Sequence, residues 1–154
     1  MKRLFQLILV AAVCLPHAGR AAEFNSVSTQ GAFADVAAYV ENAIINKGLT
    51  IDYSGEVNKM LQRTGEDVGS TKTIYTGSKF FLFCSAKLSR EMMEADANNV
   101  GFCPFIVFVY ETAAEPGVVH VGYRRPGPGN GDASNKALEN VDKLLESIIK
   151  EAAE

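Results

Sequence analysis

The sequence predicts an α+β fold, a two-layer sandwich in which helices pack on a mixed β-sheet. Two observations predict it. Helix-spaced apolar stripes are interspersed with short β-rich runs, and the densest apolar run, Phe80–Phe83, has the character of a central strand. The order of elements is β-α-β-(α)-β-α-β-β-α, in which two strands follow each other before the last helix, as in an α+β sandwich.

The first 21 residues have the pattern of a secretory signal peptide. Lys2 and Arg3 lead into an apolar run of about 12 residues, and the small residues Gly19 and Ala21 occupy the positions that signal peptidase needs. A bilayer-spanning helix needs about 20 apolar residues, so this run is too short. We therefore expect cleavage after Ala21, a periplasmic location and no membrane association of the mature protein.

Residues 22–154 are long enough for a single domain with one core. Removal of the signal peptide takes away three cations and changes the net charge from −3 to −6, which disfavours nucleic-acid binding. His120 is then the sole histidine, and Cys84 and Cys103 are the remaining cysteines. This excludes most multi-histidine metal sites within one chain.

The first half of the domain begins with a strand. Residues 24–30 alternate polar and apolar side chains, and helix-spaced apolar residues follow from Phe33 until Gly48, where a glycine can end a helix. A short strand is predicted at 49–53, and one or two helical turns at 57–64.

The central strand is predicted at residues 79–84. Phe80–Phe83 lie side by side in sequence, so both faces of that strand should be covered. Ser85 or Ser89 can cap the helix that follows, and Asn98 with its neighbour Asn99 ends it.

Two further strands, 105–110 and 118–125, are predicted to form a hairpin. In the second strand, alternation places His120 on the face opposite Tyr123. Residues 126–131 are a connector rich in Gly and Pro, and an amphipathic helix capped by Asp132 or Ser134 should dock on the sheet.

Six short segments share the residue pattern of one known family, and they are Met60–Gly65, Phe83–Ser89, Met92–Asp96, Phe102–Phe105, Val109–Glu111 and Val121–Pro126. Together they resemble the family catalogued as domain of unknown function 302 (DUF302), in its exported proteobacterial branch. The resemblance implies a small α+β fold, a homodimer and no established activity. The family carries a Pro-Cys pair where this chain has the reverse order, Cys103–Pro104, so no role of that cysteine carries over.

Cys84 and Cys103 are the first candidate site residues, because thiols commonly pair in an oxidising compartment. If the two neighbouring strands ran parallel, the cysteines would lie roughly 17 to 20 Å apart, too far for a disulfide. An antiparallel arrangement of the strands would bring the cysteines together, and so would a loop at residues 98–101 that runs back along the length of the strand. The sequence leaves open a disulfide or two buried structural thiols, and the absence of a Cys-x-x-Cys motif disfavours a thioredoxin-like role.

His120 is the second candidate, since imidazole with the thioethers of Met92 and Met93 and a thiolate would suit copper or haem. The spacing shows no metal motif, and a packing role for a lone histidine is the alternative. The sequence therefore specifies neither a metal nor a cofactor.

Arg124 and Arg125 stand beside the connector and could bind an anion through their forked guanidinium donors. Neighbouring strand residues point to opposite faces, so at most one of the two should face a given pocket. A solvated strand end is the alternative. Glu94, Asp96 and Glu111 are carboxylates without a recognisable shared cleft.

The leading hypothesis is a non-enzymatic periplasmic binding or accessory protein, a homodimer that holds a small anionic ligand or a periplasmic protein partner against its sheet. Its basis is that the sequence has no nucleophile elbow, phosphate loop, metal-ligand cluster or dinucleotide fingerprint. The alternative is a thiol-dependent or metal- or haem-dependent redox protein that uses Cys84, Cys103 and His120.

Overall fold

A computed structural model describes residues 24–154, and the predicted signal peptide lies outside this range. The described part contains five strands, four α-helices and one 3-10 helix, which confirms the α+β sandwich. In chain order these are β1 (Phe24–Gln30), α1 (Phe33–Asn46), β2 (Ile51–Glu56), α2 (Val57–Thr64), β3 (Tyr75–Phe83), α3 (Ala86–Ala95), the 3-10 helix (Ala97–Phe102), β4 (Phe105–Thr112), β5 (Val118–Arg124) and α4 (Asp132–Ala153). Within residues 24–154, every helix is too short or too polar to cross a bilayer.

The five strands form one sheet in the order β1-β5-β4-β3-β2, and all four pairings are antiparallel. The sheet is therefore antiparallel where the sequence predicted a mixed one. The cause lies between β3 and β4. There α3 and the 3-10 helix return the chain to the end of the sheet at which β3 stops, so that Phe105 pairs with Phe83.

The core lies between the sheet and two helices, α1 and α4, which contact each other and pack on the same face of the sheet. Apolar side chains at every second strand position point into this layer, as the period of two requires. Those with no exposed surface are Phe81 and Phe83 of β3, Val107 and Val109 of β4, and Val119, Val121 and Tyr123 of β5.

The expectation that Phe80–Phe83 is covered on both faces is wrong for the described residues. Phe81 and Phe83 are fully buried under the helices, but Phe80 and Leu82 point to the opposite face and are half-buried. We call that opposite face the open face, because neither α1 nor α4 lies on it.

Local hydrogen bonds set the helix ends. Ser85 caps α3 by accepting a hydrogen bond from the Leu88 N–H at 3.4 Å, whereas α4 begins after Gly131, whose φ is 87°. Ser134, a predicted cap of α4, is instead buried and accepts a hydrogen bond from the Asn99 amide at 2.7 Å. Asn99 also donates to the Met92 carbonyl, so one buried amide links the 3-10 helix to α3 and α4.

Candidate functional site

Cys84 and Cys103 are joined by a disulfide, with 6.3 Å between their Cα atoms. Cys84 follows the last residue of β3 and Cys103 lies two residues before β4 begins, so the antiparallel pairing of these strands places them together. Of the arrangements that the sequence left open, the antiparallel one is found. The Ser89 hydroxyl donates to the Cys103 sulfur at 3.8 Å, and both cysteines are half-buried.

Arg124 and Arg125 both line one cavity of about 160 Å³, although strand alternation predicted that at most one of them would face a given pocket. Strand alternation stops at Arg124, the last residue of β5, and therefore does not constrain Arg125. The other cavity walls are mainly apolar, and they comprise Gly101, Phe102, Pro104, Phe105, Ile106, Pro126 and Leu145.

The two arginines differ in their surroundings. The Arg125 Nε donates to the Asp142 carboxylate of α4 at 3.2 Å, and the Tyr123 hydroxyl donates to the same carboxylate oxygen at 2.8 Å. Burial raises the pKa of Tyr123, so the phenol stays protonated. Arg125 is thus part of a structural contact between β5 and α4, whereas Arg124 is exposed at the sheet end.

His120 lies on the open face, as alternation predicts. Its ring stacks on Tyr110 with 4.8 Å between ring centres, and its Nδ1 is 2.9 Å from the Ser28 hydroxyl. Its Nε2 is 3.9 Å from a carboxylate oxygen of Glu115. These contacts indicate a packing histidine on the sheet.

The residues considered for a soft-metal site are not brought together. Tyr110, the neighbour of His120, is five residues along β4 from Phe105, about 17 Å at the rise of a strand, while Cys103 lies beyond Phe105. Met92 is fully buried in the core. Among residues 24–154, no group of three or more His, Cys, Asp and Glu side chains is arranged to hold a metal ion.

The open face is a surface that sequence reasoning missed. It carries aromatic side chains in contact with one another, at centroid distances from 4.8 to 6.1 Å. These are Phe24, Tyr53, Tyr75, Phe80, Phe108, Tyr110 and His120. The signal was present in β4, where Ile106, Phe108 and Tyr110 occupy the positions that would be polar if this face were simply solvated.

Glycines let two of these rings lie against the sheet. A Cβ on Gly122 would lie 2.7 Å from the Phe108 ring, and one on Gly55 would lie 2.6 Å from the Phe80 ring. Both glycines pair with the phenylalanine concerned across neighbouring strands. The rings therefore lie over the glycine backbone, in the space that the side chain of any larger residue at these two positions would need.

The three carboxylates singled out in the sequence have separate local roles. Glu94 pairs with Arg90 at 2.8 Å on α3, and Asp96 accepts a hydrogen bond from the Asn98 N–H at 2.9 Å. The Glu111 carboxylate accepts hydrogen bonds from the Thr76 hydroxyl and the Gly117 N–H, near the turn between β4 and β5. Each of the three carboxylates has its own partners, and none of these contacts joins two of them.

Comparison with known proteins identifies a family and a fold. The family model described as "Domain of unknown function DUF302" matches residues 25–153. The crystal structure of an uncharacterised conserved DUF302 protein from Bacillus stearothermophilus matches with a TM-score of 0.70 and 16% identity, over 84% of this chain and 97% of that one. At this identity the match supports the fold alone. No curated protein matches the sequence.

Proposed function

The chain belongs to the DUF302 family, and from this premise we propose that it is an exported, non-enzymatic domain that binds a small anionic ligand in the periplasm. One observation carries the proposal: Arg124 and Arg125 line the same small, mainly apolar cavity. A forked guanidinium group beside apolar walls suits a carboxylate attached to a short apolar group.

The cavity limits the size of the ligand. Its volume of about 160 Å³ is below the roughly 300–1,000 Å³ typical of sites for drug-sized molecules. We therefore propose a short-chain or single-ring carboxylate. Arg124 is the better candidate for direct contact because the Arg125 guanidinium already donates to Asp142.

Export is supported by two independent features. The N-terminal sequence has the pattern of a signal peptide, and the Cys84–Cys103 disulfide suits an oxidising compartment. Both features agree with the exported proteobacterial branch of the family. A redox function has less support, since His120 lies far from the disulfide along β4.

We propose in addition that the protein is a homodimer formed by antiparallel pairing of β1 with β1 of a second copy. β1 and β2 are the two edges of the sheet. β2 carries Asp52, Glu56 and an irregularity between Ile51 and Tyr53, which are features that block edge-to-edge pairing. β1 has seven residues with no charge and no proline.

The anion proposal is tested by thermal unfolding of the periplasmic protein with butyrate, benzoate or inorganic phosphate added in turn. We expect a carboxylate to raise the midpoint, by an amount corresponding to about 2.7 kcal/mol at a hundredfold excess over Kd. Arg124→Ala should abolish that rise. Arg90→Ala removes an equally cationic but 78% exposed side chain on α3, so this variant should show the same rise of the midpoint as the wild type.

Equal stabilisation of wild type and Arg124→Ala would contradict the anion site, as would a lack of response to all three anions. The intact mass of the same preparation tests export, because cleavage after Ala21 leaves Ala22 as the first residue. A periplasmic protein that retains Met1 would contradict the cleavage.

A further inference from the structure

A groove lies beside α2, away from the arginine cavity. Its volume is about 640 Å³, within the range of ligand sites. We call it the α2 groove, and it is lined by Tyr53, Ser54, Gly55, Glu56, Val57, Lys59, Met60, Arg63, Lys79 and Phe80.

One part of the α2 groove is aromatic. The rings of Tyr53 and Phe80 lie 5.9 Å apart with an interplanar angle of 46°. Gly55, paired with Phe80, leaves room for the phenylalanine ring to rest on the backbone. Tyr53 is 58% exposed, so a planar ring can reach its face. Such surfaces favour aromatic ligands through offset or edge-to-face contacts.

The charge of the α2 groove is opposite to that of the whole chain. Three cations, Lys59, Arg63 and Lys79, line it against the single carboxylate of Glu56, whereas the chain has a net charge of −3. Lys59 pairs with Glu56, and Lys79 pairs with Glu41 at 3.5 Å. Arg63 is exposed, and no salt bridge engages it within residues 24–154. Its planar guanidinium can pair with an anion or stack on a ring.

The wall formed by α2 can adjust to a ligand. None of the eight residues of α2 is buried, so the helix is held to the sheet by few core contacts. Met60 is 42% exposed and lines the α2 groove. An unbranched thioether adapts to different ring shapes and makes favourable contacts with aromatic groups.

From these features we infer that the α2 groove is a second binding site, which takes a planar aromatic anion. The ring of the ligand packs on Tyr53 and Phe80, and its acidic group pairs with Arg63. This goes beyond the proposed function, because the arginine cavity and the α2 groove share no lining residue.

The test is equilibrium binding of three probes to the mature protein, measured by calorimetry. The probes are naphthalene-2-sulfonate, which is planar and anionic, neutral 2-naphthalenemethanol and aliphatic hexanoate. We expect the sulfonate to bind at least about fivefold more tightly than either of the others, since only it uses both the rings and the cation.

Two variants locate the site. Tyr53→Ala and Arg63→Gln should each weaken sulfonate binding about three- to tenfold, and Arg90→Gln, a matched loss of an exposed arginine, should leave it unchanged. Tyr53 and Arg63 are exposed, so the variants should fold, which the melting midpoint checks.

The inference is overturned if the sulfonate does not bind below about 1 mM or if both groove variants bind it like wild type. It is also overturned if the neutral probe binds equally well. Dissociation of a dimer by Tyr53→Ala would instead identify the groove as a contact between copies. Arg124 does not line the α2 groove, so a negative result for the groove does not contradict the proposed anion site in the arginine cavity. A negative result for the arginine cavity likewise does not contradict the α2 groove.

Discussion

Glu111 shows how a single side chain stabilises a turn. The Thr76 hydroxyl donates to one carboxylate oxygen and the Gly117 backbone N–H donates to the other, both at 2.6 Å. These two hydrogen bonds, first that of Thr76 and then that of Gly117, lower the pKa of Glu111. The ionised carboxylate therefore connects β3 to the turn between β4 and β5.

We predict that Glu111→Gln lowers the melting midpoint by about 4 °C at neutral pH. Because the folded pKa is lowered, the contribution of Glu111 is complete above the ordinary value of 4.5 and is lost as pH falls through the lowered pKa. The difference between wild type and variant should thus shrink in acid. Scanning calorimetry over a pH series measures it.

Glu139→Gln is the control, since Glu139 is 61% exposed and pairs only loosely with Lys136 on the same helix. A gap between wild type and Glu111→Gln that stays constant below the pKa would contradict the assignment of this stability to the ionised carboxylate.

At the scale of single residues, the sequence predicted those features that follow from strict alternation. His120 and Tyr123 are on opposite faces of β5, as expected. That Arg124 and Arg125 line the same cavity was not predictable, because it depends on the residue at which β5 ends. The hydrogen bonds of Glu111 link residues 35 and six positions away, and no local pattern indicates such partners.

The disulfide acts at the scale of elements, because it fastens the end of β3 to the start of β4 across α3 and the 3-10 helix. The two cysteines are 19 residues apart in sequence. In the chain-entropy model, closing a loop of this size stabilises the folded state by about 3 kcal/mol.

We predict that dithiothreitol lowers the free energy of unfolding by about 3 kcal/mol, measured by urea titration. The double variant Cys84→Ser with Cys103→Ser should have the lower stability from the start and should not respond to reductant. Two free thiols at Cys84 and Cys103 in the unreduced protein would contradict the disulfide and favour the structural-thiol alternative.

The elements themselves were largely predictable, because their apolar periods are clear. The five strands and the four α-helices were anticipated, although β2 runs on to Glu56 and β3 begins already at Tyr75, whereas the 3-10 helix Ala97–Phe102 was not. The direction of β4 was not predictable, since it depends on how α3 and the 3-10 helix fold back. That direction decides both the antiparallel sheet and the disulfide.

At the scale of the whole molecule, we predict that a lysine on the β1 edge dissociates the proposed dimer. Ser26→Lys should shift the sedimentation coefficient to that of a monomer, because two facing edges would then carry like charges. Ser54→Lys places the same change on the opposite edge strand, β2, and should stay dimeric. A wild-type monomer, or a dimeric Ser26→Lys variant, would contradict pairing through β1.

The position of β1 next to β5 has a consequence for the order of folding. Contacts between these strands join residues 92 and 98 positions apart, such as Ser28 with His120 and Asn25 with Tyr123. β1, which is made early, thus waits for a neighbour that is made much later, and long-range pairing of this kind is slow. A newly made chain therefore stays unpaired along β1 until its synthesis is nearly finished, and under the export proposed above this would leave the strand unfolded for translocation.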